Sequence, residues 1–327
     1  MEQKQRDYQL DNIKGLMIFC VIFTHAISNL YKGWGDHLLT KYFYYFVYSF
    51  HMPVFVFISG HLSRRKTDYE TYILKVIKSC LIPYVVFNIL YGFPSVKSAL
   101  NIFTPKWTLW YLLSLFWWKI LVEISPKIKG SLLIAFILAL YIGVFPAGSF
   151  LSIARTIGLY PFFLAGYLCQ KEDIRKIRTT NKMLPIAAFL LAGAVAAVMI
   201  KQGVKPSAMF YRDSYNEMGQ TYLQGVIIRA VLMVTSCLCI FGFVALISER
   251  KIFITEFGMN SITVYLAHSV VIRALKYLKI VKITNPYVFV AFAVFFSLAL
   301  CFAFGNRKVS RIYHIFLDRI CAFVLIP

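Results

Sequence analysis

Ten separate runs of mostly apolar residues leave this chain little choice of architecture, because each is long enough to cross a hydrocarbon layer as a helix. They fall at about residues 12–31, 42–62, 73–93, 107–122, 130–148, 150–169, 183–200, 223–248, 258–280 and 286–304. A spanning helix needs roughly 20 such residues. Lipid offers no partner to a backbone N–H or C=O, so such runs must pair their own main chain, which helices do. The 59% hydrophobic and 17% aromatic content and the mean hydropathy of +0.68 exclude an ordinary soluble domain. The expectation is an all-α, polytopic membrane bundle of about ten transmembrane helices, one domain over residues 1–327. The first run is long and lacks a small-residue cleavage pattern, so it stays as an anchor.

Basic residues set the orientation, since Lys and Arg are retained on the cytoplasmic side. With the N-terminus inside, the inner segments collect the larger share of the 35 Lys and Arg, among them Lys4, Arg6, Lys14, Arg64, Arg65, Lys66, Lys75, Lys78, Arg178, Arg250 and Arg307. Both termini are therefore expected in the cytoplasm of a cell-membrane protein. The net charge of +21 then reads as an inner belt facing anionic lipid headgroups rather than as a nucleic-acid surface. One outer segment departs from the pattern, because the end of the ninth run carries Arg273, Lys276 and Lys279.

Within these runs the ionisable residues carry the functional information. From Lys14 to His25 is eleven residues, roughly 16 Å of helix and about half of a hydrocarbon core. His25 thus sits near mid-membrane, where ionisable groups face a bundle interior or a wet cavity. In the second run, YSFHMPVFVFISGH, His51 reaches a similar depth, and Pro53 is expected to kink the helix just beyond it. His51 either caps a carbonyl freed by that kink or joins a site. The ninth run, EFGMNSITVYLAH, brings His268 to the same level. A shared cavity accounts for three such histidines more simply than three separate buried partners.

Other residues extend a candidate site. Lys75 and Lys78 share a helix face at the inner boundary and suit a phosphate group. Trp110 belongs to an outer aromatic belt or stacks on a sugar ring. Arg155 and Arg229 are permanent charges within the bundle, with Glu217 or Asp213 of the long loop at 201–222 as structural partners and an anionic substrate as the functional one. Asn260, Ser261 or a protonated His268 could serve as an oxyanion donor. The seven cysteines are scattered and read as packing residues, and no metal site is expected.

Several blocks resemble one family. KGLMIFCVIFTH is similar to the first-helix signature of the membrane acyltransferase 3 family, an Arg and a His with ten residues between them, with Lys14 in the Arg position and His25 as the His. SFHMPVFVFISGH, YPFFLAGY and GMNSITVYLAH resemble its second-helix, sixth-helix and late blocks, in that order along the chain. Asp-x-x-Lys-Gly and Phe-His-Met-Pro resemble the fucose 4-O-acetylase-like subgroup. The resemblance implies transfer of an acyl group, usually acetyl from cytosolic acetyl-CoA, to a hydroxyl of a cell-envelope glycan or glycolipid. It implies that His25 is the catalytic histidine and Lys14 its inner-side partner. Lys75-x-x-Lys78 would stand for the family's Arg-x-x-Arg. Members often carry a soluble extracytoplasmic esterase-like domain; without one, this membrane domain would complete acylation itself or hand the group to a separate acceptor protein.

The residues support a matching mechanism. The nucleotide end of acyl-CoA would bind at Lys14, Lys75 and Lys78, with Asp11 at the same inner end, and the pantetheine arm would extend toward His25. An imidazole there suits either deprotonation of the acceptor hydroxyl or carriage of the acyl group. A proton-coupled transporter or flippase of a small anionic solute is the rival, with histidines as proton relay; no matching inverted repeat is evident to support it.

Overall fold

The computed structural model describes residues 6–65, 67–93 and 95–324. Lys4 and Lys66, two of the basic residues assigned to the inner face, lie outside the described residues. The described residues form helices without a strand. In chain order they are α1 (Tyr8–Leu30), α2 (Leu38–Tyr48), α3 (His51–Leu62), α4 (Tyr69–Val76), α5 (Ile82–Gly92), α6 (Val96–Leu100), α7 (Trp110–Leu121) and α8 (Ser131–Tyr141). There follow α9 (Ile153–Leu168), α10 (Lys171–Arg178), α11 (Met183–Lys201), α12 (Tyr222–Leu246), α13 (Phe253–Met259), α14 (Ser261–Leu278), α15 (Pro286–Phe304) and α16 (Arg307–Val324). The protein is a polytopic helical membrane protein: among the described residues, seven helical runs are long and apolar enough to cross a bilayer. They are Tyr8–Leu30, Leu38–Leu62, Tyr69–Gly92, Phe150–Leu168, Met183–Lys201, Tyr222–Leu246 and Pro286–Phe304.

The other three expected runs are shorter or interrupted. Residues 107–122 yield the 12-residue α7, and residues 130–148 end early in a 3₁₀ turn at Ile142–Val144 ahead of Pro146. The ninth run is broken at Asn260, whose ψ of 26° is not helical, so α13 and α14 are separate rods.

The chain folds into two compact units interleaved in sequence. One comprises residues 1–58, 171–204 and 235–314. Its central rod is α1, against which α2, α13, α14 and α15 pack. Buried residues run all round α1, as expected for a rod enclosed by neighbours rather than one exposing a face. At its N-terminal end the polar side chains find main-chain partners on the approach to α13. The Gln9 amide donates to the carbonyls of Val244 and Ile247, and the Asn12 amide to those of Ser248 and Arg250. Arg178 closes this end by donating to Gln9, Asp7 and Glu249 at 2.7, 2.8 and 3.1 Å.

The tightest approach in this unit is a crossing of α1 on α13 at two glycines. A Cβ on Gly15 would overlap the Ile254 carbonyl, and one on Gly258 would overlap the Asp11 carbonyl. Small residues let membrane helices meet backbone to backbone, which is what Gly15 and Gly258 accomplish here.

The Pro53 region differs from expectation. The helix breaks before His51, at Ser49–Phe50, and Pro53 lies in the first turn of α3, where a missing N–H is tolerated. Lacking that N–H, Pro53 cannot bond the Ser49 carbonyl four residues back, and the Ser236 hydroxyl donates to it at 2.7 Å.

The second unit comprises residues 59–170, 205–234 and 315–327. Here α4 and α5 are joined by a π turn at Ile77–Leu81, just ahead of Pro83, and α7 and α8 each pack on α9. After α15 comes the 18-residue amphipathic α16, with Ile312, Ile315 and Phe316 exposed beside Arg311 and Arg319. That pattern suits a helix lying at a membrane interface.

Gly15→Ala or Gly258→Ala is expected to destabilise the protein by about 3 kcal/mol, the upper end of what overpacking costs. The control Gly35→Ala, at a site with open space, should be near neutral. Thermal unfolding of detergent-solubilised protein measures both.

Candidate active site

α1 and α14 run side by side beyond the glycine crossing, and each presents a histidine. Ten residues separate Gly15 from His25, roughly 15 Å of unbroken helix, and ten separate Gly258 from His268 across the break at Asn260. The two rings meet: His25 Nδ1 lies 3.1 Å from His268 Nε2, with ring centroids 5.4 Å apart.

Hydrogen bonding fixes the tautomers of the neutral pair. His268 Nδ1 lies 3.0 Å from the Val264 carbonyl. A carbonyl only accepts, so Nδ1 of His268 carries the hydrogen and Nε2 carries a lone pair. Nε2 therefore accepts from His25 Nδ1–H, and from the Ser269 hydroxyl at 3.3 Å. His25 then has its own Nε2 unprotonated, and the ring is half-buried while His268 is fully buried. The arrangement is an oriented base whose far side is held by a second imidazole, the geometry general-base or nucleophilic catalysis requires.

His51 lies within electrostatic reach of His25 and is held in the same way. Its Nδ1 donates to the Val47 carbonyl at 2.9 Å, which also accepts from the Phe50 N–H, so the carbonyl it bonds is not the one Pro53 leaves free. The Tyr48 ring stands edge-on to His51 at 4.6 Å and against Tyr44 at 4.4 Å. The Tyr44 hydroxyl in turn hydrogen-bonds Ser28, one turn beyond His25 on α1.

At the N-terminal end of α1, Asp11 is buried and lies 4.0 Å from Lys14 Nζ. Its stronger partner is Arg6, which donates from Nε at 2.6 Å and from Nη2 at 3.2 Å. That hydrogen-bonded carboxylate raises the Arg6 pKa above its usual value. Sequence reading counted Arg6 only as an inner-face charge, because it precedes the helix and no helical spacing links it to Asp11. Lys14 keeps part of its side chain, 18%, exposed.

Asn260 and Ser261 do not join the histidine pair. Both amide hydrogens of Asn260 go to main chain, to Glu256 at 2.9 Å and Gly305 at 3.1 Å. Asn260 precedes His268 by eight residues, roughly 12 Å of helix. Ser261 is buried in the same first turn of α14.

In the second unit, Lys75 and Lys78 are exposed three residues apart, one in the last turn of α4 and one in the π turn. Arg155 stands 4.9 Å over the Trp110 ring and donates to the Phe210 carbonyl at 3.2 Å. Arg229 is buried. It lies 4.8 Å from the Tyr215 ring and 5.4 Å from the Tyr211 ring and donates to the Ala139 carbonyl. Neither acidic residue proposed as its partner takes that place. Asp213 binds Arg212 at 2.5 Å and raises its pKa, and Glu217 caps Ser214 at 2.7 Å. Aromatic faces substitute for the carboxylate, since their quadrupoles attract a desolvated cation. Among the described residues no cluster of His, Cys, Asp or Glu has the arrangement of a metal site.

The acyltransferase 3 family model, described as an acyltransferase domain, matches residues 7–306. Nodulation protein NolL of Mesorhizobium japonicum is 44% identical over 59 residues, 18% of this chain and 16% of that protein's length. No solved structure gives a significant match.

Arg229→Ala removes a buried side chain held by two rings and a carbonyl. It is expected to cost about 3 kcal/mol, as large-to-small changes of this size do, visible as a lowered midpoint in thermal unfolding.

Proposed function

Because the chain belongs to the acyltransferase 3 family and is a membrane acyltransferase, we propose that His25 is the base of an O-acyl transfer from acyl-CoA, acetyl-CoA above all, to a sugar hydroxyl. The observation that carries this reading is the imidazole pair, in which His268 orients His25 with Nε2 unprotonated. In the proposed reaction the acceptor hydroxyl gives its proton to His25 Nε2 while its oxygen attacks the thioester carbonyl carbon. The tetrahedral intermediate collapses with cleavage of the C–S bond, and the departing thiolate takes the proton back from His25. His268 Nε2, accepting from His25 Nδ1–H, stabilises the imidazolium formed between these steps.

The donor is proposed to lie along the N-terminal half of α1, with Lys14 near a phosphate and Asp11, clamped by Arg6, fixing the lysine. A lysine offers a point charge rather than a bidentate fork, which is enough for a phosphate. Lys75 and Lys78 are proposed, from their spacing and exposure, as a phosphate-binding pair. The acceptor is proposed to be a cell-envelope polysaccharide or glycolipid, or a separate protein that takes the acyl group onward, in a cell-membrane enzyme with cytoplasmic termini.

His25→Ala in purified protein with acetyl-CoA is expected to lower transfer by roughly 10²- to 10⁴-fold, the usual contribution of a general base, with thermal unfolding unchanged. His268→Gln should lower kcat with little change in KM, since it acts through His25. Full transfer by the His25 variant would end the assignment.

Lys75→Ala with Lys78→Ala is expected to raise the KM for acetyl-CoA about tenfold and leave kcat within about twofold, each lost charge-assisted contact being a fraction of the binding energy. Initial rates across donor concentrations measure it, and an unchanged KM would make these lysines topology signals only.

A further inference from the structure

Beyond the C-terminal end of α1 lies a cleft of about 780 Å³, formed where α14 gives way to the segment leading into α15. Its lining carries Lys32, Lys276, Lys279 and Lys282 and no carboxylate. All four lysines are exposed, so their charge is turned to the solvent-filled space rather than buried in packing.

One lining side chain bonds the main chain of His25. Asn29 donates to the His25 carbonyl at 3.0 Å and accepts from Lys276 Nζ at 3.1 Å. Asn29 is four residues beyond His25, so this lining residue lies roughly 6 Å along α1 from the His25 main chain. The lining segment is also held in place. Tyr31 donates to the Thr284 carbonyl at 2.9 Å and stacks on Phe289 at 4.7 Å. Lys279 ends α14 in the left-handed region, at φ 54°, which turns the chain across the mouth of the cleft.

This end of α1 is opposite the Asp11–Lys14 end, and retention of basic residues on the cytoplasmic face cannot place clusters at both ends. A concave, one-sign surface with apolar walls concentrates an oppositely charged ligand.

We propose that this cleft is the acceptor subsite and that the acceptor is an acidic saccharide, whose carboxylate or phosphate is held by Lys276, Lys279 and Lys282 while a hydroxyl reaches His25. The inference rests on the acyl-transfer reading above and adds to it the charge class of the acceptor and the end of α1 from which it enters. Lys32 and the Asn29 amide complete the subsite, Asn29 setting the distance between the anionic group and the ring. Neutral glycans of the same size lack the group that the lysines hold.

The test measures binding rather than turnover. Protein in phosphatidylcholine nanodiscs is titrated with fluorescently labelled tetragalacturonate and phosphopentamannose, with neutral galactotetraose, and separately with coenzyme A. At least one acidic probe is expected to bind at least tenfold more tightly than galactotetraose. The triple variant Lys276→Gln, Lys279→Gln, Lys282→Gln should lose at least tenfold in that affinity, and the corresponding triple Arg variant should keep it within about threefold. Coenzyme A affinity should be the same in all three proteins, and thermal unfolding confirms that each is folded.

Equal binding of the acidic probes by wild type and the Gln variant, or no binding of either, would overturn the proposal. A loss of coenzyme A affinity in the Gln variant would overturn it in favour of a donor site. Suppression of wild-type probe binding by phosphatidylglycerol in the disc would overturn it in favour of a lipid phosphate. The acyl-transfer reading is read out independently: it fails if His25→Ala transfers normally, whatever the cleft binds.

Discussion

The contact on which the first unit depends is the backbone crossing of Gly15 on Gly258. It is a packing interaction without a hydrogen bond of its own, and it works because neither residue has a side chain to hold the helices apart. From that point His25 and His268 are each ten residues on, His268 across the break at Asn260. Register is therefore set at one end of the rods and read at the middle. The polar ends of the same contact are tied down by Gln9, Asn12 and Asn260, all donating to main-chain carbonyls at helix termini. In lipid such carbonyls have no water to turn to, so each tie satisfies two groups at once.

Helix breaks follow the same logic. Pro53 deprives the Ser49 carbonyl of its partner, and Ser236 supplies one from α12. The Val47 carbonyl, at the last turn of α2, is met by His51. A break in a membrane rod is tolerated where a side chain re-satisfies the freed group, as Ser236 does here, while His51 is oriented by a carbonyl that Phe50 N–H also meets. Arg229 obeys a related rule, since a buried cation without a carboxylate neighbour takes ring faces and a carbonyl instead.

The helical class, the apolar runs and the common level of His25 and His268 were legible in the sequence because run length and helical rise are nearly sufficient to compute depth. The pairing of the two rings was not, since depth says nothing about azimuth; that came from the glycine crossing, and a glycine in a helix can equally be a notch, a kink or an accident. Arg6 was missed because it meets Asp11 from outside the helix, where periodicity has no hold. The break at Ser49–Phe50 was misplaced by a few residues because Pro53 marks the weakness but the chain yields where a donor from another helix waits. The partners of Arg229 were misassigned because opposite charge was given priority over aromatic faces, which are commonplace in a sequence this rich in tyrosine.

The hydrogen on His268 Nδ1 is committed to a main-chain carbonyl, a group that does not ionise near neutrality. On the proposed reaction the ring pair is neutral before the hydroxyl arrives and neutral after the thiol departs, the borrowed hydrogen leaving by the nitrogen it came to. Each cycle is then closed with respect to hydrogen ions. An enzyme built this way sits across a membrane yet draws nothing from the voltage or the acidity difference between its two sides, and its work is driven by the thioester alone.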